Sequence, residues 1–122
     1  MSTAIDPVPD GDAQTLLAER RAWVRHPAAI EGACQPLVKD SINQRWPAHI
    51  CDLSARGVGL VLGSYVEVGS LISVELPKAS RGGPRRLLAR VVRSEAGDEG
   101  QWFLGCTFSI RLSQRELEEF LP

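Results

Sequence analysis

Apolar and polar residues alternate over much of the chain. Val58, Leu60 and Leu62 share one face of the run 57–62. Ile72, Val74 and Leu76 do the same at 71–76, with Ser73 and Glu75 opposite. At 86–94, Leu87, Ala89 and Val91 face one way, and Arg86, Leu88, Arg90 and Val92 the other. Trp102, Leu104, Cys106 and Phe108 line one side of 101–108. Strict alternation puts one face in a core and one in water, so each run predicts a strand. Two further strands are predicted at 28–40 and 46–53. The first contains Gly32 and Pro36, and the proline predicts an edge position or a bulge. Ser80-Arg81-Gly82-Gly83-Pro84-Arg85 and Gly97-Asp98-Glu99-Gly100 read as turns. Ser113 and Glu116 have capping-box spacing and open a helix through Leu121, with Leu117, Phe120 and Leu121 as its apolar stripe. Short, closely spaced strands with one terminal helix predict an all-β fold, a six-stranded antiparallel β-barrel.

The N-terminal end breaks this pattern. Residues 1–18 hold Pro7, Pro9, Gly11 and the acids Asp6, Asp10 and Asp12, and predict a mobile acidic tail. Asp12 can cap a short helix over Ala13–Glu19. Arg20 to Arg25 predict a loop or extended arm, because Pro27 disfavours helix at His26. Residues 19–122 form the folded domain.

The 122 residues suit one domain, and 43% hydrophobic with 24% charged residues is ordinary for a soluble globular protein. No apolar run approaches the ~20 residues that span a bilayer, and no apolar leader is visible at the N-terminus. The three cysteines, Cys34, Cys51 and Cys106, are odd in number and form no C-x-x-C. They predict reduced core thiols rather than a disulfide framework or a zinc site, and hence a cytoplasmic protein. Net charge is −1, but twelve of the fourteen basic residues are arginine. Arginine is the side chain suited to planar, forked contacts with phosphate or a base edge.

The candidate chemistry lies in two stretches. One is Glu19-Arg20-Arg21-Ala22-Trp23-Val24-Arg25, which spaces Arg21 and Arg25 as R-x-x-x-R. The other is Asp52-Leu53-Ser54-Ala55-Arg56-Gly57, a D-x-S-x-x-G turn between the second and third strands. A carboxylate accepts two hydrogen bonds side by side, and a hydroxyl donates or accepts one. Glycine lets the backbone adopt positive φ or lets a ligand come close. The outward face of the next strand, Gly57, Gly59, Val61 and Gly63, is nearly bare. That suits close approach of a ligand or a second backbone, and equally a bulged or curved barrel strand.

With both stretches in this order, the sequence resembles the PilZ domain, a bacterial receptor module for cyclic di-GMP. The resemblance covers about residues 19–121. It rests on Arg21 and Arg25, on Asp52, Ser54 and Gly57, and on Gly105-Cys106-Thr107-Phe108 before the closing helix. It implies that Arg20, Arg21, Arg25, Asp52, Ser54 and Gly57 bind cyclic di-GMP, with no cofactor and no metal. Guanidinium groups fork onto phosphate oxygens or guanine O6 and N7, or stack on a purine. Asp52 offers its two acceptors to guanine N1–H and N2–H. Arg20, just before the first motif arginine, occupies a place that influences whether one ligand or a stacked pair binds. Some family members also support a guanine with an aromatic from a later strand. Residues 86–94 hold none, and Trp102 is the substitute weighed against core packing.

The resemblance implies a receptor or adaptor that passes its signal to an effector protein controlling motility, exopolysaccharide or virulence. An enzyme is not expected, since no Cys/His pair, carboxylate cluster, H-E-x-x-H or P-loop occurs. Two rival readings differ in class. One is a PilZ-like protein adaptor that binds no nucleotide. The other is a small nucleic-acid-binding barrel using Arg81, Arg85, Arg86, Arg90 and Arg93. Low aromatic content (6%) and the net charge of −1 make nucleic acid the weaker partner.

Overall fold

The computed structural model describes residues 24–37, 44–77 and 83–121. The acidic tail, the helix expected over 13–19, and Arg20, Arg21 and Trp23 lie outside the described residues. Six strands follow in order: β1 (His26–Pro36), β2 (Trp46–Leu53), β3 (Gly57–Leu62), β4 (Leu71–Leu76), β5 (Arg85–Ala96) and β6 (Trp102–Phe108). A single 3-10 turn at Asp98–Gly100 joins β5 to β6, and helix α1 (Gln114–Phe120) ends the chain. The strands close in the order β1-β2-β3-β6-β5-β4, every neighbour antiparallel. The expected barrel with a terminal helix is the observed fold.

The alternating positions form the barrel interior. Ile50, Leu60, Ile72, Val74, Leu76, Ala89, Val91 and Leu104 are all fully buried. Closure leaves β1 no edge, since β2 pairs on one side of it and β4 on the other. The edge expected from Pro36 is therefore absent. Pro36 instead is the last residue of its strand, and the Leu37 N–H resumes bonding, to the Leu71 carbonyl at 3.0 Å. The strand also begins earlier than expected, at His26, so Arg25 stands immediately before the barrel's first strand. Cys34 and Cys106 are buried, and burial pushes both thiols up to about 12.

Three register shifts interrupt the ladders, in β1, β2 and β5. The one in β2 matters most for the outer surface. Ile50 pairs with Leu60 but Asp52 pairs with Gly59, so Cys51 is the extra residue. The bulge lets Ile50 and Leu53 both point inward, each fully buried, while Asp52 stays outside.

Helix α1 is fixed at the same rim as the β2–β3 turn. The Ser113 Oγ accepts from the Glu116 N–H, and the Glu116 carboxylate accepts from the Ser113 N–H, completing the capping box. Leu112, Leu117 and Phe120 join the barrel core. Glu116 also pairs with Arg85 at the start of β5. The Ser113 N–H above all, helped by the Arg85 guanidinium, holds the Glu116 carboxyl below its ordinary 4.5 against the opposing effect of desolvation. A carboxyl depressed on folding stabilises the protein above its unfolded pKa, and that contribution is lost as pH falls through the folded value. Thermal melts should therefore show wild type more stable than Glu116→Gln near neutrality, with the gap closing below about pH 4.5. A gap that stays constant down to pH 3 would remove the charge from the account.

Candidate functional site

The strand register brings Arg25, the last residue of the first motif stretch, to the second. His26 pairs with Leu53 and Pro27 with Asp52, so Arg25 emerges beside the end of β2. Its Nη1 donates to Asp52 Oδ1 at 2.9 Å. The two side chains are 52% and 23% exposed. An ion pair this open to solvent contributes only about 0.2–1 kcal/mol, so exchanging it for contacts to a ligand costs little. Arg21 and Arg20 lie outside the described residues.

Asp52 has a built seat. A Cβ on Gly59 would lie 2.5 Å from Asp52 Oδ2 and 2.9 Å from its Cγ. The carboxylate thus occupies the space that a side chain on β3 would fill. This answers why the outward face of β3 is bare at that position. Sequence reasoning noted the bareness but did not assign Gly59 to the site, because the pairing with Asp52 depends on the bulge at Cys51. That cysteine is half-buried beside the acid. Burial, and then the Asp52 charge, push its thiol up.

Ser54 and Gly57 act inside the turn. The Ser54 Oγ accepts from the Gly57 N–H at 3.0 Å and from the Arg56 N–H at 3.2 Å, and the residue is 4% exposed. The Ser54 N–H donates to the Gly57 carbonyl at 2.9 Å. The hydroxyl therefore ties the turn and shapes the surface that Asp52 presents. Gly57 has no positive φ. Its requirement is proximity: an added Cβ would run into the Cys106 carbonyl oxygen on β6. The turn is also lashed to the C-terminal segment. The Phe108 N–H donates to the Arg56 carbonyl at 2.8 Å, and the Leu112 N–H to the Ala55 carbonyl at 2.7 Å.

The sequence model of the PilZ domain matches residues 19–121. The chain belongs to the PilZ family. Among solved structures, the barrel is similar to the Bacillus subtilis inhibitor of motility, MotI/DgrA, with a TM-score of 0.61 and 18% identity. That match covers 83% of this chain and 48% of the other, so the chain spans about half the length of that protein. It is also similar to the PilZ domain with c-di-GMP of YcgR from Escherichia coli, with a TM-score of 0.54 and 19% identity over 83% of this chain and 86% of that one. At these identities the likeness is one of fold. No curated protein matches the sequence.

Other candidates fall elsewhere on this PilZ barrel. Trp102 pairs with Leu62 at the inward parity of β6 and meets the Tyr65 ring edge-on, with centroids 4.8 Å apart. It stands on the opposite face from Asp52. The arginine cluster of β5 is dispersed among partners: Arg85 pairs with Glu116, Arg90 donates to the Gly69 carbonyl at 2.8 Å, and Arg93 pairs with Glu95 at 2.9 Å. Those engagements disfavour a continuous polyanion track. No helix among the described residues is long and apolar enough to cross a membrane.

Proposed function

We propose that this PilZ protein is a receptor for cyclic di-GMP. The domain is 19–122, the acidic tail is 1–18, and the compartment is the cytoplasm. The observation that carries the reading is the Arg25–Asp52 pair, set over Gly59 where the arm enters the barrel. Asp52 supplies side-by-side acceptors for guanine N1–H and N2–H. Arg25, with Arg21 and Arg20 from the arm, supplies forked donors for phosphate or for guanine O6 and N7. Ser54 and Gly57 set the turn close to the ligand. The chain acts as an adaptor: ligand draws the arm onto the barrel, and the altered rim is read by an effector protein in the control of motility, exopolysaccharide or virulence.

The bonds from Ala55 and Arg56 to Leu112 and Phe108 favour the α1 rim as the place where that change is felt. Isothermal titration of the full chain with cyclic di-GMP, GTP and cyclic di-AMP tests the reading. Saturable heat with cyclic di-GMP, and much weaker heat with the other two, is expected. No heat with cyclic di-GMP at high protein concentration would leave the nucleotide-free adaptor as the better account.

A further inference from the structure

Three outward rows of residues cross β1, β4 and β5. Ala33 pairs with Glu75 and Glu75 with Arg86, while Gln35 pairs with Ser73 and Ser73 with Leu88. In the third row the Leu37 N–H bonds the Leu71 carbonyl at 3.0 Å, and Leu71 pairs with Arg90. The alternate residues Ile72, Val74, Leu87 and Ala89 are buried, so the rows form the outer face. In the barrel order, β4 lies three strands from β3 in either direction. The face is therefore on the far side from Gly59 and Asp52, and a partner seated there leaves the nucleotide site open.

The chemistry of this face is apolar and cationic together. Leu37 and Leu88 are 49% and 42% exposed. The Gly69 N–H bonds the Val91 carbonyl at 2.7 Å, which brings Val68 alongside β5 and Val92, both more than half exposed. Single exposed apolar side chains are ordinary, but several on one face mark a contact surface. Arg45 pairs with Glu75 at 2.9 Å beside Arg86, over a shallow pocket that Gln35 and Ser73 help to line. Arg90 donates to the Gly69 carbonyl at 2.8 Å, a neutral partner that leaves its charge uncancelled. Arg45, Arg86 and Arg90 thus share the face with a single carboxylate, that of Glu75.

We propose that this face docks an acidic amphipathic helix of the effector protein. The proposal rests on the adaptor reading above and gives the partner its place and its chemistry. The closed barrel offers no strand edge, so a partner must lie across the side chains rather than add a strand. A helix brings one apolar stripe for Leu37 and Leu88, with carboxylates on its flanks for Arg86 and Arg90. Those arginines are roughly 13 Å apart along β5. Acids two turns apart on a helix are about 11 Å apart, within reach of two long side chains. A second copy docked face to face would set Arg86 and Arg90 against their own counterparts. An anionic membrane calls for clusters of about four to eight basic residues, more than this face holds.

The test is fluorescence anisotropy on the full chain without nucleotide, so its failure leaves the receptor reading standing. The probe is a labelled alanine-based helical peptide of about five turns, with Leu at i, i+3, i+4 and i+7 and Glu on both flanks. A second peptide carries Lys in place of every Glu. Saturable binding of the acidic peptide is expected, weakening as salt rises, with none of the basic one. Leu88→Asp and Arg86→Glu should each bind about tenfold or more weakly, with thermal melts as a check on folding. Arg115→Glu, exposed on α1, matches the charge change of Arg86→Glu and should bind as wild type does. No binding of the acidic peptide, or wild-type affinity in Leu88→Asp or Arg86→Glu, overturns the proposal. Tighter binding of phosphatidylglycerol vesicles, or of a peptide of residues 1–18, overturns it in favour of a membrane or the chain's own acidic segment. A concentration-dependent dimer that Leu88→Asp abolishes overturns it in favour of a second copy.

Discussion

Asp52→Ala should weaken cyclic di-GMP binding by about tenfold to a hundredfold while leaving the barrel folded. The binding term comes from losing charge-assisted hydrogen bonds to the guanine edge, each worth about 1.5–3 kcal/mol. The folding term is small because the pair that Asp52 makes with Arg25 is half-open to water. Truncation also creates no cavity in the core, since the carboxylate lies outside, against Gly59. Affinity and melting temperature should therefore separate: the first falls steeply, the second moves by a degree or two. Asp52→Asn keeps one acceptor in the same place and should fall between wild type and alanine. Titration calorimetry paired with thermal melts reads both quantities. An Asp52→Ala protein that binds as tightly as wild type would remove the acid from the site.

The strands were legible because their period is simple. Val58, Leu60 and Leu62, or Ile72, Val74 and Leu76, leave one choice of inward face, and all six residues are buried. The capping box was legible for a similar reason: Ser113 and Glu116 satisfy each other's backbone N–H groups whatever the tertiary context. The bulges were not legible. Cys51 is small and tolerates either face, so nothing in His49-Ile50-Cys51-Asp52 marks it as the extra residue. Strict alternation through that stretch would have put Asp52 inside with Ile50. The hydrogen-bond register alone shows otherwise. The same holds for Arg93, which strand parity cannot place beyond a second unmarked bulge, and which sequence groups with four neighbouring arginines. Pro36 misled for the converse reason. A proline argues against a central strand only where its missing N–H interrupts the ladder, and at the last residue of β1 it does not.

The two glycines of β3 should respond to alanine in opposite ways. At Gly57 the new methyl would meet the Cys106 carbonyl oxygen, a backbone atom fixed by the β3–β6 ladder. Neither partner can rotate away, so the strands must part near Val58 and Cys106, both buried. Overpacking of this kind costs roughly 1–3 kcal/mol, and backbone displacement in a closed barrel puts Gly57→Ala at the upper end. At about 4 °C per kcal/mol for a chain of this size, the melting temperature should drop by roughly 10 °C. At Gly59 the methyl's nearest neighbours would be atoms of the Asp52 carboxylate, the movable end of a side chain on the outer surface. That carboxylate can swing aside, so Gly59→Ala should melt close to wild type. It should nonetheless bind cyclic di-GMP about tenfold more weakly, since the acceptors no longer sit where the guanine edge needs them. Melts and titrations of the two variants side by side distinguish a glycine that spaces strands from one that seats an acid. If Gly59→Ala keeps full affinity, the position of the carboxylate over β3 has no bearing on the ligand.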